Sequence, residues 1–315
     1  MKQKLLITGG AGFIGSVLTA YLLDHGYQVV VVDDLSTGHS KRLDSRASLI
    51  QASILEKSAL VEALVGVNTV IHCAAKSLVE ESVSSPDLYN QMNTEGTRDL
   101  LEAMNEAGVS NIVFSSTAAV YQASNTPLKE DDPKFDNSPY GNSKLCAETA
   151  IKASGLNYVI SRYFNLTGAD PEGEFGEEHE PETHLIPRLI QNLNNFQING
   201  DDYNTPDGTC VRDYVHVTDI AGAHNKASEY LLNGGKSITL NLGTGQGFSI
   251  LQIISKLEEV TGQKINYTVN PRRPGDADSL VADINLATEV LNYHPKHDIM
   301  SILKTAYDWH NKDDE

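Results

Sequence analysis

The sequence predicts an α/β fold, a doubly wound parallel sheet followed by a smaller mixed α/β domain. Three observations carry this. Short β-branched runs alternate with helical patterns through the first half, a glycine-rich turn links the first run to the first helix, and the texture changes after Asn165. The runs are Leu5-Leu6-Ile7, Val29-Val30-Val31-Val32, Thr69-Val70-Ile71, Ile112-Val113-Phe114 and Tyr158-Val159-Ile160. Nearly continuous apolar strands are what a parallel sheet covered on both faces requires. Between them, Val17, Leu18, Tyr21 and Leu22, and later Leu100, Leu101 and Met104, recur at helical spacing and give each helix one apolar face.

After Asn165 comes Gly168-Ala169-Asp170-Pro171-Glu172-Gly173 and an acidic, polar stretch through Thr183, which reads as a domain boundary. Residues 1–165 are therefore expected to form the first domain. Residues 166–315 form a second, with segments returning to the first. Helices are predicted near 185–196, 218–232 and 249–261, and strands near 238–242 and 265–269. Lys312-Asp313-Asp314-Glu315 reads as a solvated end.

Composition limits the functions open to the chain. Its 315 residues suit one large domain or two ordinary ones, and 40% hydrophobic residues can build a sizeable core. Twenty-four basic against 42 acidic residues give a formal charge of −18, which repels nucleic acid and anionic lipid. Neither is an expected partner. Cys73, Cys146 and Cys210 are too widely spaced for a CxxC metal or redox motif and suit reduced thiols. No apolar stretch approaches the roughly 18 residues of a membrane span, and Met1-Lys2-Gln3-Lys4 leads into no long apolar leader. A cytoplasmic protein is expected.

Thr8-Gly9-Gly10-Ala11-Gly12-Phe13-Ile14-Gly15 follows the first strand and opens a helix, with glycines at 9, 12 and 15. Such glycines let the chain turn tightly, let backbone N–H groups approach a pyrophosphate and let helix pack on strand. The spacing is GxxGxxG, and a plain glycine-bearing turn is the bland alternative. Asp33 ends the next strand, where an acidic residue meets the adenosine ribose of a dinucleotide. A carboxylate there repels a 2′-phosphate, so NAD is favoured over NADP, although Lys41 and Arg42 stand close in sequence. The combination predicts a Rossmann-type domain.

Tyr140-Gly141-Asn142-Ser143-Lys144 places a phenol and an ammonium four residues apart, on one helix face. A free tyrosine titrates near 10, so a base working at neutrality needs a drop of about 3 pH units, roughly 4 kcal/mol. Lys144 and an oxidised nicotinamide, both positive, are the expected source. Upstream, Phe114-Ser115-Ser116-Thr117 offers hydroxyls at the carboxyl end of a strand, where doubly wound sheets bind ligands.

Together these segments resemble the extended short-chain dehydrogenase/reductase superfamily and, within it, the UDP-hexose 4-epimerases. The resemblance runs from about Lys4 to His310. It includes Asp33-Asp34-Leu35-Ser36-Thr37-Gly38, His72-Cys73-Ala74-Ala75, Asn93-Thr94-Glu95-Gly96-Thr97, Ser115 to Tyr121, and Arg162-Tyr163-Phe164-Asn165. In the second half it rests on Gly208 to Val217, Asn241-Leu242-Gly243-Thr244-Gly245 and Arg272-Arg273-Pro274-Gly275-Asp276. It implies Tyr140 as acid and base, Lys144 lowering its pKa and holding the nicotinamide ribose, and Thr117 bonding the sugar 4-hydroxyl.

The cofactor residues it implies are Gly9, Gly12, Phe13, Ile14, Gly15, Asp33, Asp34, Ser36, Thr37, Gly38, Ser53, Ile54, Ala74, Ala75, Asn93, Ser115 and Phe164, with Tyr140 and Lys144. For the UDP-sugar it implies Asn165, Arg212 and Arg273 at the diphosphate, Asp276 on the uridine ribose, Tyr214 near the nucleotide, Leu185 among the substrate residues, and His184 near the diphosphate, with a satisfied polar histidine as the equal alternative. A plain alternative for Arg212 is an ion pair with Asp213 or another carboxylate. The implied reaction oxidises C4 to a 4-keto sugar on bound NAD and returns hydride to the other face, inverting C4. It needs no metal. A homodimer through the helices around 95–107 and 145–154 is also implied.

Several positions depart from the pattern. Ser53 stands where an acidic residue usually touches adenine, Gln122 where a glycine is usual, Asn199 where an aromatic often packs near uracil, and Ser77 where some relatives carry lysine. By the same resemblance Leu280 stands at a size-selecting position, and its intermediate bulk favours UDP-glucose and UDP-galactose, with UDP-N-acetylhexosamines as the alternative. A 4,6-dehydratase would carry Asp-Glu where this chain has Ala118-Ala119. A non-catalytic NAD-binding sensor predicts loss of Tyr140, Lys144 or Thr117, and an ordinary dehydrogenase predicts net NADH. His25, His179, His184, His216 and His224 show no metal-ligand spacing.

Overall fold

The computed structural model describes residues 3–124, 126–135, 138–179, 181–273 and 276–312. Pro274-Gly275 of the arginine-proline segment and Asp313 to Glu315 of the acidic tail lie outside the described residues. The chain divides into two compact units. One comprises Met1–Val120, Lys134–Arg162 and Ala221–Leu240, the other Tyr121–Pro133, Tyr163–Ile220 and Asn241–Glu315.

In the first unit the apolar runs become β1 (Lys4–Thr8), β2 (Gln28–Asp33), β4 (Thr69–His72), β5 (Asn111–Thr117) and β6 (Asn157–Tyr163), joined by β3 (Ser48–Gln51) and β10 (Ile238–Leu242). The sheet order is β10-β6-β5-β4-β1-β2-β3. Strand β1 pairs in parallel with β2 on one side and β4 on the other, so the winding reverses between β1 and β4. That reversal leaves a crevice at the carboxyl ends of the strands, the usual ligand site of this fold. Helices α1 (Phe13–Asp24), α2 (Lys57–Ala63), α5 (Gly96–Ala107) and α6 (Pro139–Ala153) connect the strands, with two short helices, α3 (Val79–Ser84) and α4 (Pro86–Tyr89), before α5. Leu6, Val70, Ile112 and Ile160 from the sheet pack with Leu60, Leu100, Met104 and Ile151 from the helices. Each such side chain contributes about 1.5–3 kcal/mol by leaving water.

Helix α6 starts where its sequence says it should. Ser138 caps it by accepting the Gly141 N–H at 3.0 Å, and Pro139, which has no N–H to lose, occupies the first turn. Between α4 and α5 the chain takes a π-helical turn, Asn90–Glu95, which turns Asn93 and Thr94 inward.

The second unit is organised around β9 (Val211–His216). It pairs with β7 (Asn165–Thr167), β11 (Gly247–Ser249) and β13 (Ser279–Leu280), while β8 (Phe196–Asn199) and β12 (Tyr267–Asn270) form a separate parallel pair. Helices α7 (Leu185–Gln191), α9 (Ile250–Thr261) and α11 (Ile299–His310) bring Leu189, Ile253, Leu257 and Leu303 to one apolar core, with α10 (Asn285–Leu291) beside them in the chain. A reciprocal cap between Ser249 and Gln252 starts α9, and Asp298 caps α11. Helix α8 (Val217–Leu232) begins in this unit and continues in the first.

The helix expected over 185–196 ends at Gln191 instead. Asn192, Asn194 and Asn195 bond readily to nearby backbone and favour turns, so the chain leaves the helix there and enters β8. The strand expected over 265–269 begins at Tyr267, because Ile265 is drawn into the core.

Candidate active site

The dinucleotide site begins at the β1–α1 turn. Gly9 is left-handed at φ +71°, and a Cβ on Gly15 would lie 2.1 Å from the Gly9 carbonyl oxygen, so no other residue fits there. Gly12, Phe13 and Ile14 are half-buried, and the first turn of α1 carries no acidic side chain. Its N–H groups are therefore disposed for an anion. Asp33 is buried at the end of β2 and accepts the Ala11 N–H at 2.9 Å and the Leu35 N–H at 2.8 Å. Burial raises its pKa while these two amides pull it down. A carboxylate has about four acceptor sites, so lone pairs remain for ribose hydroxyls. Asp34 accepts the Ser36 N–H at 2.9 Å, Thr37 is exposed, and Gly38 is buried against Ala11. These residues fit a dinucleotide on their own geometry.

The rest of the cofactor set falls in two places. Ala74 and Ala75 are half-buried just past β4, and the Ala74 N–H meets Thr8 Oγ1 at 3.3 Å. Asn93 donates to the Lys76 carbonyl and to Ser143 Oγ and accepts the Lys76 N–H, tying that loop to α6. Ile54 packs on Gly96, and Ser53 accepts the Leu55 N–H within its own loop. Phe164 belongs to the second unit, where its buried ring stacks on Tyr121 with centroids 6.4 Å apart.

Tyr140 and Thr117 come together in the first unit, and Lys144 follows one turn along α6. A Cβ on Gly141 would lie 2.8 Å from the Ala119 carbonyl, so α6 starts tight against the end of β5 and the phenol reaches the Thr117 hydroxyl. Tyr89 meets the Tyr140 ring edge-on at 6.3 Å. Burial raises the Tyr140 pKa and the Thr117 hydroxyl lowers it, with Lys144 not among the causes. The Lys144 ammonium, itself buried and pulled down to about 8 by desolvation, lies 4.4 Å from the centre of the Phe114 ring. Ser115 donates to Cys73 Sγ at 3.1 Å.

Sequence reasoning missed what holds α6. Glu148 and Arg162 are fully buried and paired through two contacts, Nε to Oε1 at 2.8 Å and an Nη to Oε2 at 2.6 Å, and Ser116 donates to the same carboxylate at 2.6 Å. Arg162 and the serine keep Glu148 ionised against the cost of burial. Glu148 continues the Tyr140, Lys144 spacing by one more turn, which is the signal that was available. His72 was likewise quoted without a role. It is buried, neutral with a pKa near 3, and joins Thr8 at 2.7 Å to Thr97 at 3.0 Å.

In the second unit, β9 gathers the expected UDP-sugar residues. Arg212 and Tyr214 alternate onto one face, Leu280 is the register partner of Arg212, and Asn165 that of Tyr214. Arg212 pairs with Asp276 at 2.5 Å and donates to the Val211 and Ala277 carbonyls, while Tyr203 donates to Asp276 at 3.2 Å. Asp213 is not its partner. That carboxylate points to the other face and accepts from Thr244, Gly245 and Ala282. Arg273 is exposed and Leu185 half-buried. His184 is bonded to the buried Glu177 and stands beside His179 and Glu182, so the expectation of no metal-ligand spacing overlooked a convergence of four donors. The signal was a repeated Glu-x-His, at 177–179 and 182–184.

The family described as the NAD dependent epimerase/dehydratase family matches residues 5–243. A UDP-glucose 4-epimerase of Lacticaseibacillus casei is 45% identical over 99% of this chain and 98% of its own length, and one of Streptococcus mutans is 46% identical over 98% and 97%. The solved UDP-glucose 4-epimerase of Brucella ovis, in complex with NAD, superposes with a TM-score of 0.93 at 42% identity over 97% of each chain. That of Bifidobacterium longum, in complex with NAD+ and UDP, gives 0.92 at 33% over 99% of each. With a glycine cradle, an acidic β2 terminus and a tyrosine-lysine helix assembled on one doubly wound sheet, the chain belongs to the NAD dependent epimerase/dehydratase family.

Proposed function

We propose that the protein is a UDP-hexose 4-epimerase, interconverting UDP-galactose and UDP-glucose with NAD as its resident cofactor. The observation that carries this is the meeting of Tyr140 with Thr117 beside a glycine cradle in one unit, with Ala118 and Ala119 where an elimination would need an acid and a base. NAD would be held by the Gly9–Gly15 turn and Asp33 and, when bound, would supply a reversible hydride acceptor for C4. The Tyr140 phenolate accepts the 4-hydroxyl proton and later returns it, so the protein needs no external acid or base. Thr117 holds the C4 oxygen, and the Lys144 ammonium holds the nicotinamide ribose and favours the phenolate. Arg212 and Arg273 hold the diphosphate while the ketose turns its other face. For this Arg212 relaxes its pairing with Asp276, which frees that carboxylate for the uridine ribose.

Leu280 next to Arg212 in the register supports UDP-galactose and UDP-glucose as the preferred pair, with UDP-N-acetylhexosamines as the second reading. A cytoplasmic homodimer formed through α5 and α6 completes the proposal; among the described residues, no helix is long and apolar enough to cross a membrane. The test is to incubate the purified protein, with no cofactor added, separately with UDP-galactose and UDP-N-acetylgalactosamine. Conversion of the first alone is expected. Conversion of both assigns Leu280 an open pocket, and no conversion of either even after NAD is added contradicts the proposal.

A further inference from the structure

Four metal-ligating side chains converge in the segment between β7 and α7, apart from the proposed catalytic groups. One donor atom each from Glu177, His179, Glu182 and His184 lies within 4.8 Å of all the others. His179 Nδ1 stands 3.7 Å from Glu177 Oε1 and 3.4 Å from Glu182 Oε2. A tetrahedral ion with bonds of 2.0–2.1 Å places its donors about 3.4 Å apart. The two His179 separations are close to that value, whereas His184 and Glu177 are bonded directly to each other and would part to admit an ion.

The polar bookkeeping points the same way. Glu182 is 6% exposed, and its Oε2 and His179 Nδ1, both buried, make no well-formed hydrogen bond and meet only each other, 3.4 Å apart. Their other atoms are committed: Glu182 Oε1 accepts the Thr183 and His184 N–H groups at 2.8 Å, and Glu177 Oε2 accepts the Thr167 hydroxyl at 3.0 Å. The Glu177 carbonyl accepts the Trp309 indole N–H at 3.0 Å, which fixes the segment to α11. His310, the next residue on α11, also has a buried Nε2 without a hydrogen-bond partner.

We propose that Glu177, His179, Glu182 and His184 form a structural site for a divalent first-row transition ion of the zinc type. Two carboxylates balance the charge of a dication, and two imidazoles exclude calcium and magnesium, which prefer oxygen shells. The ion satisfies Glu182 Oε2 and His179 Nδ1 together. It also clamps the loop ahead of α7, whose amino-terminal cap is His184. Its presence is independent of the epimerase reading, since metal content is measured without turnover.

The test uses the full-length protein without a histidine tag, stripped with chelator and then titrated with Zn2+ in competition with a chromophoric chelator. Cobalt serves as a spectroscopic probe. About one zinc per chain is expected, with visible d–d bands of tetrahedral Co2+ and a higher melting temperature on zinc addition. His179→Ala and Glu182→Gln should each weaken binding by roughly 100-fold or more while keeping the circular dichroism of the parent. His294→Ala, at an exposed histidine outside the cluster, should leave it unchanged. Equal zinc binding by all variants, or no zinc bound by the parent, overturns the site and leaves His184 and Glu177 as a simple ion pair.

Discussion

Tyr140 is the proposed acid and base, and its environment sets the terms. Burial holds the phenol above its ordinary pKa and only the Thr117 hydroxyl counters it, so the phenolate depends on cations brought near. Tyr140→Phe should lower kcat about 10³-fold without loss of bound NAD, checked by steady-state assay and by the nucleotide released on denaturation. Thr117→Ser should retain most activity and Thr117→Val little, since a hydroxyl and not a methyl is required. The base form of Tyr140 starts the reaction, so kcat falls as the medium becomes acidic. In Lys144→Met that acid limb should move to higher pH, because a buried positive charge no longer favours the phenolate. A limb that stays in place would assign Lys144 a purely cofactor-holding role. The identities of these residues were legible from a four-residue spacing and a strand-end hydroxyl. The direction of the Tyr140 shift was not, because burial is a property of the packed site.

At the scale of elements, α6 is aimed by its attachment beneath the sheet. The Glu148–Arg162 pair and Ser116 anchor the helix at the turn after Lys144. Removing one partner leaves the other charge buried and alone, so Arg162→Met should cost about 3–5 kcal/mol in urea unfolding. The folded-state pKa of Glu148 is lowered. Its contribution is thus fully present above the ordinary carboxylate range and is lost as pH falls through the folded value. Glu148→Gln should flatten the acid side of the stability profile, read as the urea midpoint against pH. Gly15→Ala, with its Cβ 2.1 Å from the Gly9 carbonyl, should abolish NAD retention. The strands of the first unit were readable because burial on both faces makes them continuously apolar. Strand β9 was not, since Val211-Arg212-Asp213-Tyr214-Val215-His216 alternates charged groups that are buried only through partners distant in sequence.

For the whole molecule, the chain is woven between its two units. The first unit is completed by Ala221–Leu240, which carries most of α8 and the start of β10, the strand next to β6. A fragment ending at residue 165 therefore lacks an edge of its own sheet. It should aggregate or remain unfolded, whereas the full chain stays soluble, as size-exclusion chromatography and circular dichroism would show. The change of texture near Asn165 and a return of later segments to the first domain were expected from the sequence, but which helix and strand return depends on contacts that no local pattern records.

The central claim is that C4 loses and regains its own hydrogen within one site. We would incubate the purified protein with UDP-galactose deuterated at C4, without added NAD, and follow the label by NMR. The account predicts UDP-glucose with deuterium retained at C4 and no NADH released. Deuterium lost to solvent, or NADH formed in proportion to product, would contradict it.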